Sequence, residues 1–283
     1  IDGADLYLTL DIEYQSILQS ELKNAVEKRN SKSGQAVLIN PNTGEILAIA
    51  TVPSFNPNKY GNFSIDLQKN LVISDAYEPG STFKIVGVSS AIEENRLNWA
   101  DTFDCENGEY IYNSHKFHDH EAKDTLTISE ILVHSSNIGM VKISDFIGSK
   151  LIYKYVKDFG FGSKTEIQLP TENSGLLRKY SDWSALSAPE VSIGQEISAT
   201  TLQTAMAYCV IANGGFLLKP RIIKSINYPD GTEYSKTEAI RKVISPETCD
   251  SLLIALEDVV KNGTATKAQI NGYRVAGKTG TAR

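Results

Sequence analysis

The sequence of 283 residues has few cysteines, no Lys/Arg run and no long apolar stretch. Each of these absences bears on the class of protein to which it belongs. Three cysteines, Cys105, Cys209 and Cys249, are too few and too scattered for a disulfide framework, and they do not settle the redox compartment. The chain has no Lys/Arg run and a net charge of −6, so nucleic acid is not expected as a partner. No apolar stretch approaches the roughly 18 residues that a membrane helix needs, and no signal peptide is visible. Because the first residue is Ile1 rather than Met, this does not speak against a leader or anchor that has been removed.

What is present is the composition of a globular protein, with 41% hydrophobic and 22% charged residues. Its length suits one large domain or two ordinary ones. Strand and helix signals are mixed along the chain. The predicted strands are at 6–10, at 35–39 and 45–50 as a hairpin, and at 273–281. One predicted helix begins after Asp11 and has the apolar face Tyr14, Leu18, Leu22 and Ala25. Another begins after Thr127, which Glu130 completes as a capping box. Further helices are predicted over 138–147, 201–211 and 246–260.

A turn at residues 78–84 is predicted to open into a buried helix. Pro79 and Gly80 interrupt the backbone before an apolar stretch, which places Ser81 in the first helical turn. Lys84 follows three residues later, and residues at that spacing share one face of a helix. The free amides of the first turn and the helix dipole surround the hydroxyl with partial positive charge. A hydroxyl, an amine and free amides at one helix start are the parts of a serine acyl-transfer site.

Two further motifs follow in order, and the combination matters because each motif alone is weak. Ser20 and Lys23 repeat the Ser-x-x-Lys spacing inside an amphipathic helix, and 54–56 and 225–227 both match Ser-x-Asn. Lys-Thr-Gly occurs once. The ordered set is Ser81 and Lys84, then Ser135 and Asn137 at a predicted helix end, then Lys278-Thr279-Gly280 on the last predicted strand. That set is the signature of penicillin-recognising serine enzymes.

The residues around these motifs resemble a class B penicillin-binding protein over nearly the whole chain. The resemblance is carried by 75–84, 135–139 and 277–282, and by 53–58, 192–195 and 212–215, which match phrases of the division and elongation transpeptidases. The chain departs from the family at Gln195-Glu196 and at Thr201, where relatives often have Tyr/Gln-Gly and Pro.

The resemblance implies an α/β (α+β) fold of the penicillin-binding and serine β-lactamase type. In that fold an antiparallel sheet flanked by helices meets an all-helical lobe at the Ser81 cleft. We expect residues 1–283 to form one such transpeptidase domain, without the pedestal domain and membrane anchor of the family. Relatives continue past the Lys278 strand into two more strands and a closing helix. We therefore expect these 283 residues alone to be unstable or poorly acylated.

Physical chemistry supports Lys84 as the base for Ser81. A serine hydroxyl is a weak nucleophile and needs a base within hydrogen-bond reach. A lysine with the ordinary pKa of about 10.4 is neutral only about once in 10³ molecules at neutral pH. Burial, and a second cation such as Lys278, would lower the pKa of Lys84 and make it a usable base.

The resemblance assigns the remaining roles. The implied catalytic residues are Ser81, Lys84, Ser135 and Lys278, and the implied substrate-binding residues are Asn137, Thr279, Gly280 and Thr281. Ser135 is expected to relay a proton between Lys84 and the leaving amine, and Asn137 to bind the substrate amide. Lys278 with Thr279 and Thr281 is expected to hold the donor carboxylate. Backbone amides of Ser81 and Thr281 would form the oxyanion hole.

The activity implied is that of a peptidoglycan D,D-transpeptidase of the bacterial cell envelope. It would acylate Ser81 with the D-Ala-D-Ala end of a stem peptide and pass the acyl group to a second stem-peptide amine. The β-lactams would mimic the donor and acylate the same serine. No cofactor or metal is expected. A membrane-bound glycan polymerase and division or elongation proteins are the expected partners, through regions outside this chain.

Other readings of the same residues stay open. The site also fits a serine β-lactamase, although no convincing second base is present for deacylation, and it fits a β-lactam-sensing receptor domain acylated once. Ser81 could be a helix cap alone. Cys105, His115, His118, Asp119, His120 and Glu121 are the one metal-like cluster, but their spacing matches no standard zinc pattern, and solvated loop histidines are the preferred interpretation. Glu172 invites comparison with the deacylating glutamate of class A β-lactamases and receives no role.

Overall fold

The computed structural model describes residues 3–281. Helices dominate, and short antiparallel strand pairs lie between and beside them. The helices are α1 Ile12–Arg29, α2 Leu71–Ser74, α3 Lys84–Glu93, α4 Ile128–Val133, α5 Asn137–Ile147, α6 Ser149–Asp158, α7 Ser187–Ser192, α8 Thr201–Ala212 and α9 Pro246–Asn262. In this part of the chain, none of the helices combines the length and the apolar character needed to cross a membrane.

The strands pair in twos and threes, and the described residues contain no larger sheet. They are β1 Asp5–Leu8, β2 Gly34–Asn40, β3 Glu45–Val52, β4 Ala76–Tyr77, β5 Thr102–Asp104, β6 Glu109–Tyr112, β7 His115–His118, β8 Thr125–Thr127, β9 Ala199–Thr200, β10 Phe216–Leu218, β11 Ile223–Tyr228, β12 Gly231–Tyr234 and β13 Ala239–Lys242. One sheet has the order β1-β11-β12, and the other pairs are β2-β3, β4-β9, β5-β8, β6-β7 and β10-β13. The predicted hairpin is therefore confirmed as β2-β3.

Helix α3 is the centre of the helical part of the fold. It contacts α4, α5, α6, α7 and α9. Its residues Ile85, Val86 and Val88 are at most 1% exposed. Burying each such side chain is worth roughly 1.5–3 kcal/mol. The helix that carries Lys84 is therefore held from several sides at once.

The predicted caps are confirmed where the sequence signals them. Asp11 accepts hydrogen bonds from Glu13 N and Tyr14 N at the start of α1. Thr127 and Glu130 form the predicted capping box of α4. Each such cap satisfies amides that have no partner within the helix and is worth about 1 kcal/mol.

The face of helix α1 that lies on the hairpin agrees in part with the predicted one. Leu18 and Leu22 are half-buried, whereas Tyr14 and Ala25 are exposed. The contact is close at Gly34 of β2, where an added Cβ would lie 2.5 Å from Val26 Cγ2. The apolar pattern of α1 is weak, so the contact with the hairpin decides which side is covered.

The strand predicted at 273–281 is wrong for the described residues. The segment has no ladder partner there and is held on α9 instead. Gly277 N donates to Leu256 O at 3.2 Å, and Arg274 pairs with Glu257 at 2.6 Å. A strand is defined by pairing with another strand, and a single hydrogen bond to a helix does not supply it.

The contact between α4 and α5 predicts a stability effect. An added Cβ at Gly139 of α5 would lie 2.5 Å from Ile131 Cγ1 of α4. Alanine normally improves a helix interior, but here overpacking of this kind costs about 1–3 kcal/mol. We expect Gly139→Ala to lower the free energy of unfolding by that amount in a denaturant titration. Gly61→Ala is the control, because nothing lies within 4 Å of its Cβ position. Equal stability of the two variants would contradict the prediction.

Candidate active site

Ser81 lies in a 3-10 turn that runs directly into α3. The turn spans Gly80–Phe83, and Gly80 has φ +55°. Gly80 N donates to Gly194 O at 3.1 Å, and Thr82 Oγ1 donates to Pro79 O at 2.7 Å. The prediction of a glycine turn opening into a buried helix is confirmed, with a tighter first turn than an α-helix has.

Lys84 is fully buried, at 0% exposure. Its Nζ donates to Ser135 O at 2.5 Å, to Asn137 Oδ1 at 2.7 Å and to Ser135 Oγ at 3.2 Å. The first two sequence motifs therefore meet at this amine. Within residues 3–281, no hydrogen bond joins the Ser81 hydroxyl to Lys84. Such bonds between nucleophile and base are often long in a substrate-free site and shorten when substrate binds.

The three acceptors around Lys84 bear on its protonation state. A charged ammonium has three N–H groups and can donate to all three oxygens. A neutral amine has two N–H groups and one lone pair. If the two shorter contacts, to Ser135 O and Asn137 Oδ1, keep the N–H groups, the lone pair faces a hydroxyl. The arrangement thus accommodates both forms, as a proton-transfer group requires.

Charge and burial both act on the pKa of Lys84. Burial, followed by the positive charge of Lys278, lowers the pKa of Lys84 well below its usual range, while the carboxylate of Asp119 raises it. Burial also lowers the pKa of Lys278, to about 8. A lysine whose charged form is disfavoured is neutral often enough to act as a base.

The Ser135–Asn137 stretch is the junction between α4 and α5. Ser135 has φ +59°, and Ser136 caps α5 by accepting from Gly139 N at 2.9 Å. The side-chain amide of Asn137 is oriented at both ends, because its Oδ1 faces Lys84 and its Nδ2 donates to His118 O at 2.8 Å. The predicted helix end is confirmed, and the second helix begins at Asn137.

The third motif lies against the Ser81 turn. An added Cβ at Gly280 would be 2.7 Å from Thr82 Cγ2 and 3.2 Å from Pro79 O. Thr279 Oγ1 donates to Thr264 Oγ1 at 2.7 Å. Lys278 Nζ donates to the adjacent Thr279 O at 3.1 Å. Residues 278–281 are therefore brought to the predicted site although they form no strand.

These parts surround a cleft of about 640 Å³, a size typical of a ligand site. Its walls include six of the eight predicted site residues, and Lys84 and Lys278 are the two that do not line it. The lining members of the predicted set are Ser81, Ser135, Asn137, Thr279, Gly280 and Thr281. Histidines 115, 118, 120 and 134 also line it.

Two of these histidines lie beside different glutamates. His115 Nε2 lies 3.2 Å from Glu190 Oε1, and His118 Nδ1 lies 3.7 Å from Glu109 Oε1. Among residues 3–281, no group of three or more His, Cys, Asp or Glu side chains could hold a metal ion.

Glu172 is engaged in its own loop. Its carboxylate accepts from Thr165 N at 2.6 Å, from Thr165 Oγ1 at 2.5 Å and from Glu166 N at 3.1 Å. It is not among the residues that line the cleft. These contacts tie Glu172 to a turn away from the Ser81 hydroxyl.

Two structural features of the site were missed by sequence reasoning. Gly194, at φ +81°, lies so close to Gly80 that an added Cβ would be 2.2 Å from Gly80 O. Asp119 accepts hydrogen bonds from the start of α5. The single glycine in residues 192–195 was a local signal for the close approach to Gly80. No local signal joins Asp119 to the start of α5, because those residues lie seventeen or more positions later in the chain.

The family departure at Glu196 has a backbone consequence. Its φ is +55°, in the left-handed region where glycine is favoured. Glu196 is nevertheless anchored, since its carboxylate pairs with Arg178 and its N donates to Glu78 at 3.3 Å. An ion pair and a hydrogen bond thus hold Glu196 in a backbone conformation that is unfavourable for any residue other than glycine.

Comparison with known proteins shows the family of the chain. A sequence model described as "Penicillin binding protein transpeptidase domain" matches residues 34–283. The chain belongs to the penicillin-binding protein transpeptidase family. Probable peptidoglycan D,D-transpeptidase PbpC of Pseudomonas aeruginosa is 33% identical over 99% of this chain and 48% of its own length. Stage V sporulation protein D of Bacillus subtilis is 36% identical over 100% of this chain and 45% of its own length.

Solved structures of the transpeptidase family share the fold. Apo penicillin-binding protein 3 from Mycobacterium tuberculosis has a TM-score of 0.94 at 32% identity, over 100% of this chain and 66% of that one. Its complex with ampicillin has a TM-score of 0.93 at 31% identity, over 99% of this chain and 64% of that one. The fold is therefore the α/β penicillin-binding transpeptidase fold, as predicted. The chain spans about half the length of the curated relatives it matches.

The close approach of Gly194 to Gly80 predicts a loss of both stability and reactivity. A Cβ at Gly194 meets backbone, which cannot rotate away, so Gly194→Ala must displace the Ser81 turn. We expect a loss of about 2–5 kcal/mol in unfolding free energy, because about 1–2 kcal/mol for the left-handed conformation adds to about 1–3 kcal/mol for the clash, and a loss of about 10²-fold in the rate of Ser81 acylation. Both are measured by denaturant titration and by labelling with a fluorescent penicillin.

Gly214→Ala is the matched control. Gly214 has nearly the same φ, +80°, but nothing within 4 Å of its Cβ position. It should lose only the cost of the left-handed conformation, about 1–2 kcal/mol, and keep its acylation rate. If Gly194→Ala acylates as fast as Gly214→Ala, the contact with Gly80 does not position Ser81.

Proposed function

We propose that this chain is a peptidoglycan D,D-transpeptidase domain that crosslinks stem peptides through a Ser81 acyl-enzyme. The observation that carries the proposal is the fully buried Lys84 amine, held between the Ser81 helix and the Ser135–Asn137 junction. The names of the relatives PbpC and PenA, both probable peptidoglycan D,D-transpeptidases, support the same reaction. We further propose that residues 1–283 act as one domain.

The proposed acylation step uses the residues of the cleft. Ser81 Oγ attacks the carbonyl carbon between the two D-Ala residues of a donor stem peptide, and its proton passes to the neutral Lys84 amine. The amides of Ser81 and Thr281 donate to the oxyanion, which is worth roughly 10²–10³ in rate for each donor. The C–N bond then breaks, and the terminal D-Ala leaves with a proton returned from Lys84 through Ser135.

Transfer is the reverse sequence with a different amine. The amine of a second stem peptide attacks the ester carbonyl and passes a proton through Ser135 to the neutral Lys84 amine, which then returns it to Ser81 Oγ. The ester bond breaks, Ser81 regains its proton, and a new amide crosslinks the two peptides. Asn137 is proposed to bind the donor amide, and Lys278, Thr279, Gly280 and Thr281 its terminal carboxylate. A β-lactam would follow the first half, with opening of its ring amide in place of departure of D-Ala.

The family setting supports further proposals about place and partners. We propose that the protein works in the bacterial cell envelope, on the outer face of the cytoplasmic membrane. Its proposed protein partners are a glycan polymerase and the division or elongation proteins. The relatives named as probable peptidoglycan D,D-transpeptidases support a place in cell-wall synthesis.

A serine β-lactamase is the competing enzyme. It needs a second base that activates a deacylating water, and Glu172 is engaged with Thr165 instead. A single-use β-lactam receptor is the competing non-enzyme. Stable penicillin label together with turnover of a D-Ala-D-Ala or thioester donor supports the transpeptidase. Rapid loss of the label would favour the β-lactamase, and stable label without donor turnover would favour the receptor.

Ser81→Ala should abolish penicillin labelling, because Ser81 lines the cleft in the turn that opens α3, whereas Ser135, whose Oγ lies 3.2 Å from Lys84 Nζ, is proposed to relay a proton rather than to be acylated. Labelling is followed by gel fluorescence and by the mass of the intact protein. Ser20→Ala is the matched control, because Ser20 and Lys23 repeat the spacing on helix α1, away from the cleft. It should label at the wild-type rate. A labelled Ser81→Ala protein would disprove the nucleophile assignment.

Lys278 predicts an alkaline limit on donor binding. Burial lowers its pKa to about 8, so above that pH it loses the charge proposed to hold the donor carboxylate. We expect KM for a thioester donor to rise above about pH 8. In Lys278→Arg the guanidinium stays charged, and the rise should move to higher pH. Lys236→Arg, at an exposed position, should behave like wild type. A KM independent of pH in the wild type would contradict this role.

A further inference from the structure

Asp119 links a loop beside the cleft to the start of helix α5. It follows β7, it is half-buried, and it lines the cleft. Its Oδ1 accepts from Asn137 N at 2.5 Å and from Ile138 N at 3.0 Å, and its Oδ2 accepts from Ser136 Oγ at 2.6 Å. One carboxylate thus takes three hydrogen bonds from three consecutive residues of the α4–α5 junction.

These bonds fix the first turn of α5. The first amides of a helix have no partner within the helix, and a carboxylate is favoured at that positive end. Ser136 already caps α5 through its own hydroxyl. The Asp119 carboxylate therefore adds a second, external anchor that joins the junction to the loop.

The same loop also orients the Asn137 side chain. His118 O, one residue before Asp119, accepts from Asn137 Nδ2 at 2.8 Å. With Nδ2 held there, Oδ1 is turned toward Lys84 Nζ at 2.7 Å. Asn137 is thus held by its main-chain amide through Asp119 and by its side-chain amide through His118. The loop therefore holds Asn137, which supplies one of the three Lys84 acceptors, and Ser136, the neighbour of the Ser135 that supplies the other two.

Charge gives Asp119 a second connection with Lys84. Besides burial, two charged groups that shift the pKa of Lys84 are Lys278, from the 273–281 segment, and Asp119, from the loop. Their charges have opposite signs, so Lys278 lowers the pKa of Lys84 and Asp119 raises it. The junction between them contributes Ser135 and Asn137, which carry no charge.

We propose that Asp119 is a positioning residue for acylation, which holds Ser135 and Asn137 against Lys84 and sets the charge balance around that amine. The inference rests on the proposed function, because it assumes that Ser81 is acylated with Lys84 as base. It assigns no contact between Asp119 and the reacting atoms. Asp119 acts through the α4–α5 junction and through its field.

Asp119→Asn tests the two parts together. The amide keeps the size but removes the charge, and only one of its two atoms can accept hydrogen bonds. We expect the second-order rate of penicillin acylation to fall about 10²-fold, as for other small displacements of a reacting group. We also expect the acid limb of the pH–rate profile to move to lower pH. Removing a negative charge beside Lys84 favours its neutral form, so less alkaline solution is needed to deprotonate it.

Asp119→Glu separates position from charge. It keeps the carboxylate but displaces it by one methylene, so the rate should fall while the acid limb stays in place. It also carries the test if Asp119→Asn does not fold. Asp124→Asn is the control, an exposed carboxylate of the same loop that should change neither quantity. All variants are made in the full chain and checked for cooperative melting.

The outcomes distinguish this inference from the proposed function. An Asp119→Asn rate that falls equally at every pH, with the limb unmoved, would reduce Asp119 to a structural cap and overturn the charge role. Wild-type rates in both Asp119 variants would overturn the positioning role. In either case the Ser81 assignment survives if Ser81→Ala fails to label. Labelling of Ser81→Ala would overturn the proposed function itself.

Discussion

The site depends on one buried amine. Lys84 has no exposure to solvent, and an ammonium ion in such a place is costly unless polar groups surround it. Three oxygens do so, and all three belong to Ser135 and Asn137 at the start of another helix. Helix α3 must therefore be packed against the α4–α5 junction for the amine to be tolerated. That packing is also what brings Ser81 and Ser135 to one cleft.

The loops that build the cleft adopt backbone conformations that would not persist alone. Gly80, Ser135 and Gly194 all have positive φ, and Ser135 has a side chain that disfavours it. Such residues persist when the surrounding structure fixes them. Here the fixing comes from the buried face of α3 and from the Gly80–Gly194 hydrogen bond. The packing of the core therefore also fixes the geometry of the site.

Electrostatics completes the arrangement with two opposed charges. Lys278 lowers the pKa of Lys84, and Asp119 raises it, on top of the dominant effect of burial. Lys278 reaches the site on a segment held by α9, and Asp119 reaches it on the loop after β7. A base of this kind is tuned by elements far apart in the chain. The pKa of Lys84 therefore depends on the positions of both elements.

The sequence by itself determined the parts with local signals. The glycine turn before Ser81, the cap at Thr127, the β2-β3 hairpin and the order of the three motifs all follow from neighbours within a few residues, and the motifs identified the family. It could not determine features that depend on distant partners. Residues 273–281 form no strand in the described structure because pairing is not a local property, and the covered face of α1 is chosen by the hairpin. Asp119 and Gly194 act across the fold on α5 and on the Ser81 turn. Only the tertiary structure decided these, because hydrogen bonds and close backbone contacts between remote residues leave no spacing in the sequence.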